Sequence, residues 1–85
     1  MQTVLQFYDE ESIEGYKYFI YTTSMGKRNV RDTITITDYH FPDDKSIKEF
    51  EDLGFGLGEY RIINIMNHLE KRENFDYTFG LMKIE

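Results

Sequence analysis

The chain has 85 residues, one proline and no cysteine, which is the length of one domain and excludes disulfides, thiolate catalysis and zinc sites built on sulfur. Seven Phe and seven Tyr in a 40% hydrophobic sequence must supply the core from side chains alone, because a chain this short buries only roughly 60% of its unfolded surface. Sixteen acids against ten bases leave a formal charge of -6, which opposes direct binding to phosphate backbones and suits a partner with a basic surface.

Residues 3–8, TVLQFY, set Leu5 and Phe7 on one face and predict a first strand; the acidic Asp9-Glu10-Glu11-Ser12 stretch, with Gly15 beyond it, reads as a turn. Residues 16–23, YKYFIYTT, are aromatic and β-branched, which makes a second strand. Turn chemistry at Ser24-Met25-Gly26-Lys27 precedes the clearest period-two run, residues 32–41, where Ile34 and Ile36 oppose Thr33, Thr35, Thr37 and Tyr39. Pro42 ends this third strand, since it lacks a donor.

The period then changes. Asp43 or Asp44 caps a first helix with Ile47, Phe50 and Leu53 three apart, and Gly54 stands where it stops. After the loop Gly54–Gly58, the spacing of Ile62, Ile65, Met66 and Leu69 predicts a second helix over residues 59–73, with Glu70, Lys71 and Arg72 turned to water and Asn74 as its C-cap. Residues 76–84 return to strand composition and read as an edge or closing strand. The order β, β, β, α, α, β predicts one compact domain over residues 1–85 with an α+β, two-layer fold: an antiparallel sheet with two helices packed on one face.

No catalytic kit is legible. His40 and His68 fall on different predicted elements and read as surface or rim histidines, and the acids lack metal-ligand spacing. Gly54, Gly56 and Gly58 match neither a Walker loop nor a dinucleotide fingerprint and read as a flexible corner. The expectation is no enzyme, no metal and no cofactor. Tyr8, Tyr16, Tyr18, Tyr21 and Tyr39 are the sharper feature, because Tyr is favoured at protein interfaces and alternation turns about half of them outward. No apolar run approaches the roughly 20 residues that span a bilayer, and the N-terminus has no export pattern, so the expected compartment is a cytoplasm.

From Phe41 to Asn74, without a gap, the chain resembles the two-helix C-terminal half of a small phage-encoded type I-F anti-CRISPR protein. The matched residues are Phe41, Gly56, Gly58, Arg61, Ile62, Asn64, Met66, Asn67, Arg72, Glu73 and Asn74. The resemblance implies a non-enzymatic inhibitor in a host bacterial cytoplasm that binds backbone subunits of the CRISPR surveillance complex and blocks target DNA binding. It also implies that a sheet face makes the contacts, through tyrosines and an acid on successive strands. The phrase Phe19-Ile20-Tyr21 looks like that family's second strand ending in its functional tyrosine, so Tyr21 is carried over, and pattern adds Tyr8 and Asp38 as partner-binding residues. The expected state is a monomer with a protein partner and no direct nucleic-acid or membrane contact. The alternatives are an acidic DNA mimic that inhibits another nucleic-acid-binding protein, and a small self-associating regulatory protein.

Overall fold

Alternation in the first third of the chain builds an antiparallel pair in the computed structural model, which describes residues 1–11, 14–68 and 74–84. β1 (Gln2–Tyr8) turns Leu5 and Phe7 inward, and β2 (Tyr18–Thr23) turns Tyr18 and Ile20 inward, with Leu5 opposite Ile20. β3 (Thr33–Ile36) buries Ile34 and Ile36 between exposed Thr33 and Thr35. It stops at Ile36, short of the predicted Phe41. A 3-10 turn, Asp38–His40, follows, and in it the Thr37 N–H donates to His40 Nδ1 at 3.0 Å.

α1 (Asp44–Asp52) is the predicted first helix. The Asp43 carboxylate accepts from the Ser46 N–H at 2.8 Å, satisfying one of the helix's orphan donors. At the other end Gly54 adopts φ 95°, and its N–H bonds the Glu51 carbonyl while the Phe55 N–H bonds the Phe50 carbonyl. This pair of bonds is the Schellman stop, and its usual apolar clasp is present as Phe55 stacked on Phe50 at 5.4 Å. The capping geometry thus aims Phe50, the helix's buried residue, and Phe55 into the same space.

The predicted second helix is not formed. Gly58–Asn67 is a strand, β4, and Leu69, Glu70, Lys71, Arg72 and Glu73 of that prediction lie outside the described residues. Tyr60 and Ile62 alternate inward and are fully buried. The register then shifts between Ile62 and Asn64, a bulge that returns Ile65 to the core side and leaves Ile63 and Met66 exposed. Inward residues therefore fall two and then three apart, which mimics a helical stripe. Three isoleucines in four residues, Ile62, Ile63 and Ile65, side with the strand. Met66, assigned to the core by the helical reading, is 60% exposed.

β5 (Phe75–Lys83) is no edge strand. The sheet order is β2-β1-β5-β4-β3, with β5 in the centre, parallel to β1 and antiparallel to β4. Among the described residues, one mixed five-stranded sheet curls into half a barrel around one α-helix. This replaces the antiparallel sheet backed by two helices. Phe41 leaves the 3-10 turn and packs on Phe50 at 5.0 Å, so the segment between β3 and α1 also covers the inner face. Among the described residues no helix is long and apolar enough to cross a membrane.

A polar cluster ties one end of the sheet. The buried Asp76 carboxylate accepts from Thr3 Oγ1 at 2.8 Å, from the Tyr77 N–H at 2.6 Å and from Ser24 Oγ. Thr3 Oγ1 in turn accepts from the Met25 N–H at 2.9 Å. Burial alone would raise the Asp76 pKa, but the hydrogen bonds from Ser24, Thr3 and Tyr77 outweigh it and hold the carboxyl below its ordinary value. A depressed carboxylate stabilises the fold above the ordinary carboxylate range and loses that contribution as pH falls through the folded value.

Two outcomes are expected in denaturant unfolding. Phe50→Ala costs about 3 to 5 kcal/mol by leaving a core cavity, whereas Met66→Ala stays within about 0.5 kcal/mol; a large loss in Met66→Ala would contradict the bulged strand. Asp76→Asn costs about 2 kcal/mol at neutral pH and flattens the decline in stability on acidification. Wild-type stability of that variant at pH 7 would contradict the charged, hydrogen-bonded carboxylate.

Candidate functional site

The same alternation that buries Tyr18 and Ile20 turns Phe19 and Tyr21 out of β2, where they are 45% and 52% exposed. Neighbouring rings extend them into a chain across the outer face. Tyr8 meets Tyr16 at 6.4 Å, Tyr16 meets Phe19 at 5.7 Å, Phe19 meets Tyr21 at 5.5 Å, and Tyr21 meets Phe75 at 5.3 Å. The first three contacts are edge-to-face, the arrangement that ring quadrupoles favour. The rings therefore brace one another while still presenting surface to solvent. Beside them is a hollow of about 240 Å³ with Val4, His68 and Thr78 among its lining residues and exposed Met66 also bordering it.

Tyr21 and Tyr8 thus belong to one surface, linked through Tyr16 and Phe19. Asp38 is elsewhere, exposed at the start of the 3-10 turn. It is adjacent in sequence to Tyr39 and His40, which line a groove along β2 together with Tyr21. Tyr39 is 95% exposed. The sequence pattern assigned Met66 to the core and gave no surface role to Phe19 or Phe75. In a segment as uniformly aromatic as YKYFIYTT the phase of alternation is hidden, and the contribution of Phe75 depends on β5 lying near β2 across β1.

His68 is buried rather than at a rim, and its Nε2 lies 2.6 Å from Thr78 Oγ1. Ser24, His68 and Asp76 are the residue types of a hydrolytic relay, but their bonds do not make one: Ser24 Oγ donates directly to Asp76, and His68 is engaged with Thr78. Two tyrosines are held protonated. Burial pushes Tyr60 well above the usual tyrosine range while its hydroxyl donates to the Gly56 carbonyl at 2.7 Å. Burial, with added repulsion from Glu49 and Asp43, raises Tyr18. Among the described residues no group of three His, Cys, Asp or Glu is placed to hold a metal ion. The arrangement that the described side chains do build is a braced aromatic surface. In comparison with known proteins, no protein-family model, no curated protein and no solved structure matches this chain.

Proposed function

We propose that this protein is a non-enzymatic binder that occupies the surface of a protein partner through the outer sheet face centred on Tyr21. The observation that carries the reading is the braced ring chain Tyr8–Tyr16–Phe19–Tyr21–Phe75, whose middle three rings are exposed and whose ends are half-buried. Rings that are already fixed by their neighbours lose little entropy when a partner covers them, and exposed aromatic clusters on a small soluble fold mark contact surfaces. The charge of -6 selects a partner with a basic surface.

The resemblance to type I-F anti-CRISPR proteins supplies the partner to test first: the backbone subunits of a type I CRISPR surveillance complex, with loss of target DNA binding as the consequence. The matched stretch through Arg61, Ile62, Asn64, Met66 and Asn67 is strand here rather than helix, so the reading stands on the aromatic face and not on a two-helix support. The surplus of acids favours one other mode, in which carboxylates imitate phosphates in a basic groove. The two respond differently to salt, since mimicry weakens steeply with ionic strength and a ring-centred contact weakens modestly.

The experiment adds the protein to purified type I surveillance complexes and measures target-DNA binding. Tyr21→Ala is expected to keep the wild-type melting temperature and to weaken inhibition by about 2 kcal/mol or more. Undiminished inhibition by that variant would remove Tyr21 from the interface. No effect of the wild-type protein on any such complex would remove this partner.

A further inference from the structure

β2 is one of the two edges of the sheet: it pairs with β1 on one side and with no other strand among the described residues. The direction of its backbone groups follows from the register. Ser24 donates to the Met1 carbonyl at 3.2 Å, and Thr22, Ile20 and Tyr18 stand opposite Thr3, Leu5 and Phe7. Bonded and non-bonded residue pairs alternate in antiparallel pairing. Tyr18, Ile20 and Thr22 therefore direct their N–H and C=O groups to β1, while Phe19, Tyr21 and Thr23 direct theirs away from the sheet.

Those outward groups meet a groove of about 530 Å³ that runs the length of the strand. All six residues of β2 line it, and Tyr39, His40 and Pro42 form the facing wall. Edges of sheets are ordinarily protected by charge, proline or a bulge within the strand. Tyr18–Thr23 has no charge and no proline, and its pairing with β1 runs without a register shift. Next to the facing wall in sequence are Asp38, Asp43 and Asp44, countered there by Lys45, and the chain as a whole carries -6.

We propose that this groove takes an extended, basic segment of a partner protein, which adds as a strand to the free edge of β2 and whose Lys or Arg residues answer the net negative charge of the chain. Strand addition uses backbone bonds for affinity and neighbouring pockets for choice of side chain. The charge favours this occupant over a second copy, since two chains of -6 repel. The inference rests on the protein-binding reading but uses a separate set of atoms, the edge amides of β2 rather than its outward rings.

The test uses the full chain, isotopically labelled, and synthetic peptides of about nine residues with Lys at both ends and Val, Ile and Thr mixed between. Amide exchange by NMR is expected to slow by about tenfold or more at Phe19, Tyr21 and Thr23 when peptide is added, with little change at Tyr18, Ile20 and Thr22. The same peptides with Glu ends should bind at least about tenfold more weakly. Thr23→Pro removes one outward donor without touching a β1 bond or an aromatic ring and should weaken peptide binding by about fivefold at unchanged inhibition through the Tyr21 face. A foldable variant for comparison is Thr23→Val, which keeps the donor and should bind as wild type. Peptide binding that leaves the Phe19, Tyr21 and Thr23 amides unprotected would overturn the proposal, as would full binding by Thr23→Pro or equal binding of the Glu-ended peptides. No binding of the Lys-ended peptides, or edge protection that rises with protein concentration in their absence, would overturn it as well, the latter by assigning the edge to a second copy. Loss of inhibition in Tyr21→Ala with wild-type behaviour of Thr23→Pro would leave the aromatic face standing and the strand addition refuted.

Discussion

Everything in this fold depends on where the ring of Phe50 sits. It is the buried residue of the helix, and it meets Phe7 of β1 at 4.7 Å, Tyr18 of β2 at 5.5 Å, Phe41 at 5.0 Å, Phe55 at 5.4 Å and Tyr60 of β4 at 6.0 Å. A half-barrel has an inner face that its own strands cannot cover, and burying a Phe side chain is worth about 2 to 3 kcal/mol before any ring-specific term. One helix of nine residues is marginal by itself in water, so it persists because its caps and Phe50 fit this space. Hence the Asp43 cap and the Schellman turn at Gly54 are part of the core's construction, since they set the length and the exit of the helix and so the position of both Phe50 and Phe55.

The parts of the fold that were legible in the sequence are those governed by local chemistry. The β1 alternation, the cap, which falls to Asp43 rather than Asp44, the inward Ile47 and Phe50 and the Gly54 stop all act within a few residues and are found in the structure, whereas Leu53, the last of the expected stripe, is the helix C-cap and is exposed. β4 was illegible because its signal is not local. The bulge between Ile62 and Asn64 makes sense only beside β5, where Gly80 has no side chain and the Asn64 carboxamide folds over the vacant position, so close that a Cβ there would lie 2.7 Å from Asn64 Cγ. A lone glycine inside the strand-like run DYTFGLMKI is the mark of such a close approach, and with the β-branched Ile62, Ile63 and Ile65 it was a sequence signal that could have questioned the second helix. The central place of β5 was hidden for a similar reason: parallel pairing with β1 joins the two ends of the chain, and no periodicity reports that.

For the candidate site the balance is the reverse. That tyrosines crowd the first third of the chain was visible from the sequence, but which of them face outward was not, because aromatic residues occupy both phases of β2. The phase is set by contacts below the sheet. Tyr18 is drawn inward by Phe50 and Phe7, which sends Phe19 and Tyr21 to the other face. His68 shows the limit of assigning a polar residue by type: it is buried because Thr78 offers its ring a partner.

β2 is therefore used three times over. Its inward Tyr18 and Ile20 help close the core, its outward rings form the braced surface, and its free backbone edge faces the groove beneath the 3-10 turn. Only one ladder of backbone bonds, to β1, holds it in the sheet. An edge strand with one ladder opens more readily than a central strand, so the inward anchor of Tyr18 on Phe50 carries more of the positional burden here than it would at β5. A loss of packing under β2 would then disturb the outward face and the edge together, whereas a change on the outward face need not disturb the core. This one-way dependence follows from the geometry of a single strand and separates contact defects from folding defects at the same residues' neighbours: a true contact residue can be altered without loss of stability, and a supporting residue cannot.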